Sequence, residues 1–205
     1  MKISLLDYGA GNLPSVERAL QRLGAKTERI STADGVAKAS ALILPGVGHY
    51  GALIRALDRD GLRESLIAAI KRDVPFLGIC LGLQALFQNS EEAPDLRGLR
   101  ILPGSVRVLS GAVKLPHMGW DQVQSKAGSR LLEGIDCGAY FYFAHSYAVP
   151  YESEDSAQET QATCSYGGEF VAVAEKGSIF AVQFHPEKSG AAGQRVLENF
   201  LRIAA

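Results

Sequence analysis

Short apolar runs separated by amphipathic stretches pattern the first half of the chain. Residues 3–6 read as a buried strand. Leu13, Val16, Leu20 and Leu23 then recur at helical spacing behind Asn12, a residue type suited to capping, and Gly24 supplies a stop. Residues 27–30 predict a weak strand and 41–44 a strong one. Leu53, Ile54 and Leu57 mark a helix, and after Gly61 a second helical face runs through Leu62, Leu66, Ile67 and Ile70. Residues 74–79 form the next strand signal and 81–88 the next helix. These strands are continuously apolar, as strands covered on both faces are. The β-α-β-α rhythm predicts a parallel sheet with helices on both sides.

The second half changes character. Residues 105–109 alternate, and residues 160–166 and 169–175 flank Gly167-Gly168, a hairpin signal. Residues 179–184 are apolar and end at His185; residues 193–203 close the chain as a helix with Val196, Leu197, Phe200 and Leu201 inward. The stretch 151–161 is acidic and polar, a loop by composition. The expectation is one α/β domain over residues 1–205. Its sheet is mixed, mostly parallel and flanked by helices, with antiparallel strands added and no internal repeat.

Composition narrows the function classes. The chain has 205 residues, a net charge of −1 and scattered Lys and Arg, which argues against a nucleic-acid partner. Apolar stretches are broken well short of a membrane span, and Asp7 inside the first one argues against a secretory leader. Cys80, Cys137 and Cys164 are odd in number and widely spaced, so neither a disulfide framework nor a metal knuckle is expected. His49, His117, His145 and His185 lack ligand spacing, so no metal is expected. The reading is a cytoplasmic protein with reduced thiols.

Three segments carry candidate chemistry. Gly46, Gly48 and Gly51 fit G-x-G-x-x-G after a strand. The dinucleotide reading needs an acid at the end of the next strand, but that strand ends at Cys80 and Asp73 sits at its wrong end. A second glycine pair, in DYGAGN, has Pro14 at the third glycine position. Both loops can equally be tight strand-to-helix turns. The second segment, Gly78 to Gly82, is G-x-C-x-G at a strand-to-helix junction, the form of a nucleophile elbow with cysteine at its tip. A helix N-terminus favours a thiolate there. The bland alternative is a buried inert thiol, the reading that fits Cys137 and Cys164, which have no elbow.

The third segment is His185-Pro186-Glu187. On an extended chain residues two apart face one side, which lets Glu187 fix the His185 imidazole while it serves Cys80 as base. Alone, a solvated His and Glu would be the plainer reading. Parallel strands bring their carboxyl ends together, so the three segments can share one edge. Thiolate attack on a carboxamide makes an oxyanion, which needs two N–H donors. Leu81 supplies one, and Val47 or Gly48, on the glycine loop, the second.

With these residues in view, PGVGHYG, GICLG followed by Gln84, SEEAP, KLPHMGW and QFHPEKS resemble the class I glutamine amidotransferases. Over nearly the whole chain the likeness is to the glutaminase subunits of imidazole glycerol phosphate synthases, from histidine biosynthesis. The resemblance implies a flavodoxin-like fold, hydrolysis of L-glutamine through a Cys80 thioester, and no cofactor. It implies Cys80, His185 and Glu187 as the triad, and Gly46, Val47, Gly48 and Leu81 around the oxyanion. Gly82, Gln84, Glu92, His145, Ser146 and Tyr147 take glutamine-binding positions. The implied partner is a cyclase subunit with a (β/α)8 barrel that receives the ammonia. Pro116, Met118, Trp120 and Lys188 fall at the partner-facing positions; a core strand start for the first three, and a solvated lysine, are the plainer alternatives. The resemblance also implies an oxyanion peptide that flips when the partner binds its ligand. Other functions held against this are glutaminases feeding anthranilate, carbamoyl phosphate or pyridoxal phosphate synthesis, a nucleotide-binding module, and a cysteine peptidase.

Overall fold

The structure, a computed structural model, describes residues 2–151 and 158–205; residues 152–157 of the acidic stretch lie outside the described residues. Twelve strands and six α-helices are present among them. The parallel half of the main sheet is built from β1 (Lys2–Leu6), β2 (Lys26–Ile30), β3 (Leu42–Gly46), β4 (Phe76–Cys80) and β12 (Ile179–Val182). The antiparallel half comprises β7 (His117–Ser125), β8 (Ala139–His145), β10 (Thr160–Ser165) and β11 (Glu169–Lys176). The order is β2-β1-β3-β4-β12-β11-β10-β7-β8, parallel from β2 to β12 and antiparallel beyond. A small second sheet joins β5 (Asn89–Ser90), β6 (Ser105–Val108) and β9 (Tyr147–Ala148).

Helices cover both faces, as the continuous apolar strands require. On one side α2 (Ala33–Lys38), α3 (Tyr50–Arg59) and α4 (Leu62–Lys71) bury Val36, Leu53, Leu57 and Leu66. On the other, α1 (Leu13–Arg22) and the C-terminal α6 (Gly190–Ile203) bury Val16, Leu20, Val196 and Phe200. Burying such side chains stabilises by about 1.5–3 kcal/mol each before entropy is counted.

Three local readings are corrected. Asn12 sits at the N-cap of α1, but its side chain makes no capping bond. The second helical residue is Pro14, which has no N–H to cap, and the Asn12 carbonyl instead takes the Ser15 and Val16 amides at 3.2 and 3.3 Å. The helix expected over 81–88 is the single turn α5 (Leu81–Gln84). Residues 99–102 end it: the Leu99 amide donates to the Ala85 carbonyl at 2.7 Å, and Ile101 and Leu102 donate to Leu86 at 2.8 and 3.0 Å. Helix α2 escapes the pattern because only Val36 is buried in it; the Thr32 hydroxyl caps it by accepting from the Gly35 amide.

Candidate active site

The parallel strands deliver their carboxyl ends to one edge. Gly46 closes β3 opposite Cys80 at the end of β4, and β12 runs beside β4 with Val182 level with Ile79. Beyond it, Gln183 and His185 therefore come alongside Cys80. Cys80 has φ +54° and ψ −104°, a strained backbone that only close packing maintains. The glycines around it explain the spacing read in the sequence. A Cβ on Gly78 would meet the Gly82 carbonyl oxygen at 2.6 Å, and one on Gly82 the Leu44 carbonyl oxygen at 2.0 Å. A Cβ on Gly46 would meet Leu81 at 2.5 Å, so the glycine loop lies directly against the elbow. Helix α5 is one turn long, so no long helix dipole stands behind the sulfur.

His185 is 2% exposed. Its Nδ1 lies 2.9 Å from Glu187 Oε1, with both side chains almost fully buried. Burial opposes charge on the imidazole, yet hydrogen bonds to Cys80 and Glu187 outweigh it and raise its pKa above the ordinary imidazole value. The extended geometry expected for 185–187 is corrected: Pro186–Lys188 is a 3-10 turn. The Lys188 amide donates to the His185 carbonyl, and the Ser189 hydroxyl donates to the same carbonyl at 2.6 Å while accepting the Tyr142 amide at 2.9 Å. Ser189 thus pins the turn to β8, a role the sequence did not signal.

A cleft of about 180 Å³ opens beside Cys80's elbow, lined by Gly48, Leu81, Gln84, Glu92, Ser146 and Tyr147, among others. Gly48, at φ +96°, has the freedom its position in the loop demands. Glu92 Oε2 accepts the Tyr50 amide at 2.6 Å and anchors the start of α3, just past the glycine loop. The Gln84 amide donates to the Tyr147 carbonyl at 2.7 Å and leaves its Oε1 without a partner. Gly82 does not line the cleft; its place is against the Leu44 backbone. Pro116, expected on the partner-facing surface, is exposed and borders the cleft. A larger cleft of about 670 Å³, between residues 125 and 137, holds none of these groups.

His145 also borders the cleft, 6% exposed, its Nδ1 2.9 Å from the Tyr147 carbonyl. Burial, and then the neighbouring His117, push its pKa down to about 3. The folded state keeps this ring neutral, whereas the unfolded chain protonates it near pH 6.5. Stability is thus complete above 6.5 and lost as pH falls toward 3. Lowering pH from 8 to 5 is expected to cost at most about 2 kcal/mol through this residue, and His145→Gln to remove that part of the slope. Denaturant unfolding at the two pH values measures it.

Met118 is 66% and Trp120 53% exposed on β7, so the core alternative for these two fails. Trp120 packs edge-on to Tyr142 at 6.2 Å, and the Lys188 ammonium lies 5.5 Å above the same ring. With Tyr140 exposed on β8, they form an aromatic and apolar surface at the edge of the sheet. Such clusters are what protein interfaces use as anchors. No helix among the described residues is long and apolar enough to cross a membrane, and none of their His, Cys, Asp or Glu residues group as a metal site.

Comparison with known proteins places this geometry. The family described as glutamine amidotransferase class-I matches residues 4–204. The imidazole glycerol phosphate synthase subunit HisH of Moorella thermoacetica is 45% identical over 199 residues, covering 97% of this chain and 93% of that protein. The chloroplastic imidazole glycerol phosphate synthase hisHF of Arabidopsis thaliana is 42% identical over 97% of this chain but only 34% of its own length. A crystal structure of a glutamine amidotransferase superposes with a TM-score of 0.77 over 98% of both chains at 18% identity, a likeness of fold.

Proposed function

The chain belongs to the class I glutamine amidotransferase family, and from that premise we propose that it is the glutaminase subunit of an imidazole glycerol phosphate synthase. It hydrolyses L-glutamine and hands the ammonia to a cyclase subunit in histidine biosynthesis. The observation that carries the reading is the Cys80–His185–Glu187 alignment beside a cleft of a size for one amino acid.

The geometry supports the following chemistry. His185 takes the thiol proton, and the Cys80 sulfur attacks the side-chain carboxamide carbon of glutamine. The oxyanion that forms receives the Leu81 N–H and an N–H of Val47 or Gly48. His185 passes its proton to the amide nitrogen, the carbon–nitrogen bond breaks, and ammonia leaves a γ-glutamyl thioester on Cys80. His185 then takes a proton from water as its oxygen attacks the thioester, releasing glutamate and restoring the thiol–imidazole pair. Glu187 holds the imidazole orientation throughout. Glu92 and the free Gln84 Oε1 suit the substrate ammonium, and Ser146 and Tyr147 border its backbone.

The Met118–Trp120–Tyr142–Lys188 surface fits docking of a barrel-shaped cyclase, with Lys188 free to meet an acid there. The Arabidopsis protein named for both parts, of which the match covers 34%, supports such a pairing. Three unpaired cysteines suit the reducing cytoplasm as its place of work.

The test is glutamate release from glutamine by the chain alone, with the cyclase, and with cyclase plus its substrate. Because Gly48 gives the oxyanion peptide room to reorient, the rate is expected to rise by at least about a hundredfold in the full system, the weight of one oxyanion donor. No glutamate release under any of the three conditions overturns the function; equal rates overturn the switching peptide alone.

A further inference from the structure

Gln183 stands where the apolar strand β12 ends, and it is 0% exposed. An uncharged carboxamide shut away so completely must find partners. Its Nε2 lies 3.5 Å from Cys80 Sγ, and its Oε1 accepts from Gln84 Nε2 at 3.1 Å. Gln84 Nε2 also donates to the Tyr147 carbonyl at 2.7 Å.

The direction of this chain of bonds is fixed from its far end. A backbone carbonyl only accepts, so the nitrogen of Gln84 must face Tyr147. Its second hydrogen then meets an oxygen on Gln183, which leaves the Gln183 nitrogen facing sulfur. Turning Gln84 over would set its oxygen against the Tyr147 carbonyl, and turning Gln183 over would set its NH2 against that of Gln84, each at a cost of about 1–3 kcal/mol in a buried site.

We propose that Gln183 is a dedicated donor to the nucleophile, which stabilises the Cys80 thiolate and is aimed at it by Gln84 from the substrate-cleft wall at Tyr147. The inference rests on the glutaminase reading for its purpose, and deepens it. His185 and Gln183, two residues apart, then hold the sulfur from the same strand end: one takes its proton, the other supports the charge left behind. Losing the Gln183 donor removes a charge-assisted bond while leaving the triad intact.

The experiment reads Cys80 directly and needs no turnover. Gln183→Met and Gln84→Met, checked for native fold by near-ultraviolet circular dichroism, are alkylated with iodoacetamide. Modification of the Cys80 peptide is followed by mass spectrometry at pH 7 and pH 10. At pH 7 Gln183→Met is expected to react about fivefold more slowly, a tenfold smaller thiolate fraction partly offset by a more basic sulfur. At pH 10 it is expected to match or modestly exceed wild type, because ionisation no longer limits the rate and the more basic sulfur is the better nucleophile. Gln84→Met, which frees Gln183 to turn, is expected to fall about twofold at pH 7 with the same recovery. A wild-type rate in both variants at pH 7 would overturn the proposal. So would an equal slowing at both pH values, the mark of altered packing alone. Should Gln183→Met not fold, Gln84→Met decides by the same two outcomes. Wild-type glutamine hydrolysis, measured separately, tests the function, so failure of one is distinguishable from failure of the other.

Discussion

Cys80→Ala is expected to release glutamate from glutamine at least about ten-thousand-fold more slowly than wild type, in the presence of the cyclase and its substrate. In the proposed reaction the sulfur is the atom that forms the covalent bond, and no other nucleophile stands within the elbow. Cys164 is buried in the core with its pKa pushed up to about 12 by burial, and Cys137 lies on the surface. Neither can substitute. The loss is expected to be specific to glutamine. With ammonium salts supplied instead, the variant complex is expected to support the cyclase reaction at the wild-type rate, because the exposed surface around Trp120, the proposed docking site, is untouched. Stability is expected to change by less than about 2 kcal/mol, the scale of leaving the Gln183 donor without its acceptor. Glutamate release within tenfold of wild type would remove Cys80 from the reaction.

That assignment was legible in the sequence because its requirements are local and steric. A side chain presented on so sharp a turn needs small residues at fixed offsets, and Gly78 and Gly82 stand at those offsets. The apolar continuity of residues 41–44 and 74–79 likewise announced strands covered on both faces, and with them a common carboxyl edge. His185 and Glu187 followed from residue type and spacing, though the backbone joining them is a 3-10 turn. Proline at 186 suits the start of such a turn as well as an extended chain, so the sequence alone did not separate them.

What escaped was non-local. The single turn of α5 is set by residues 99–102, which take the Ala85 and Leu86 carbonyls that a longer helix would use, a pairing that no window over 81–88 contains. Strands β7 and β8 place aromatic side chains on both faces, one for the core and one for the exposed edge, and so show no clean alternation. Gln183 and Ser189 act through partners 103 and 47 residues away. One signal for Gln183 was available: a lone carboxamide within the apolar run IFAVQF, which ends at His185. A polar group there must be satisfied by something, and at a strand end facing Cys80 that partner is the Cys80 sulfur.

The same steric logic sets the largest stability effect. Gly82→Ala is expected to lower unfolding stability by about 3 kcal/mol or more, near the upper end for overpacking. The added carbon would sit 2.0 Å from the Leu44 carbonyl oxygen and 3.1 Å from the Leu44 carbonyl carbon. Leu44 cannot retreat, because β3 is held between β1 and β4 in the interior of the sheet. The elbow must move instead, and it carries the Leu81 amide and Cys80 with it. Misplacement of the reacting atoms by about 1 Å costs on the order of a hundredfold, so residual folded protein is expected to be impaired by at least that much. Gly61→Ala separates backbone strain from collision: Gly61 also has a positive φ, +63°, but a Cβ there meets nothing within 4 Å. It is expected to cost about 1–2 kcal/mol and to leave glutamine hydrolysis unchanged. Denaturant melts and glutamate release on both variants decide the matter. Should Gly82→Ala prove no less stable than Gly61→Ala, with full activity, the packing of elbow against β3 is not what holds the sulfur in place.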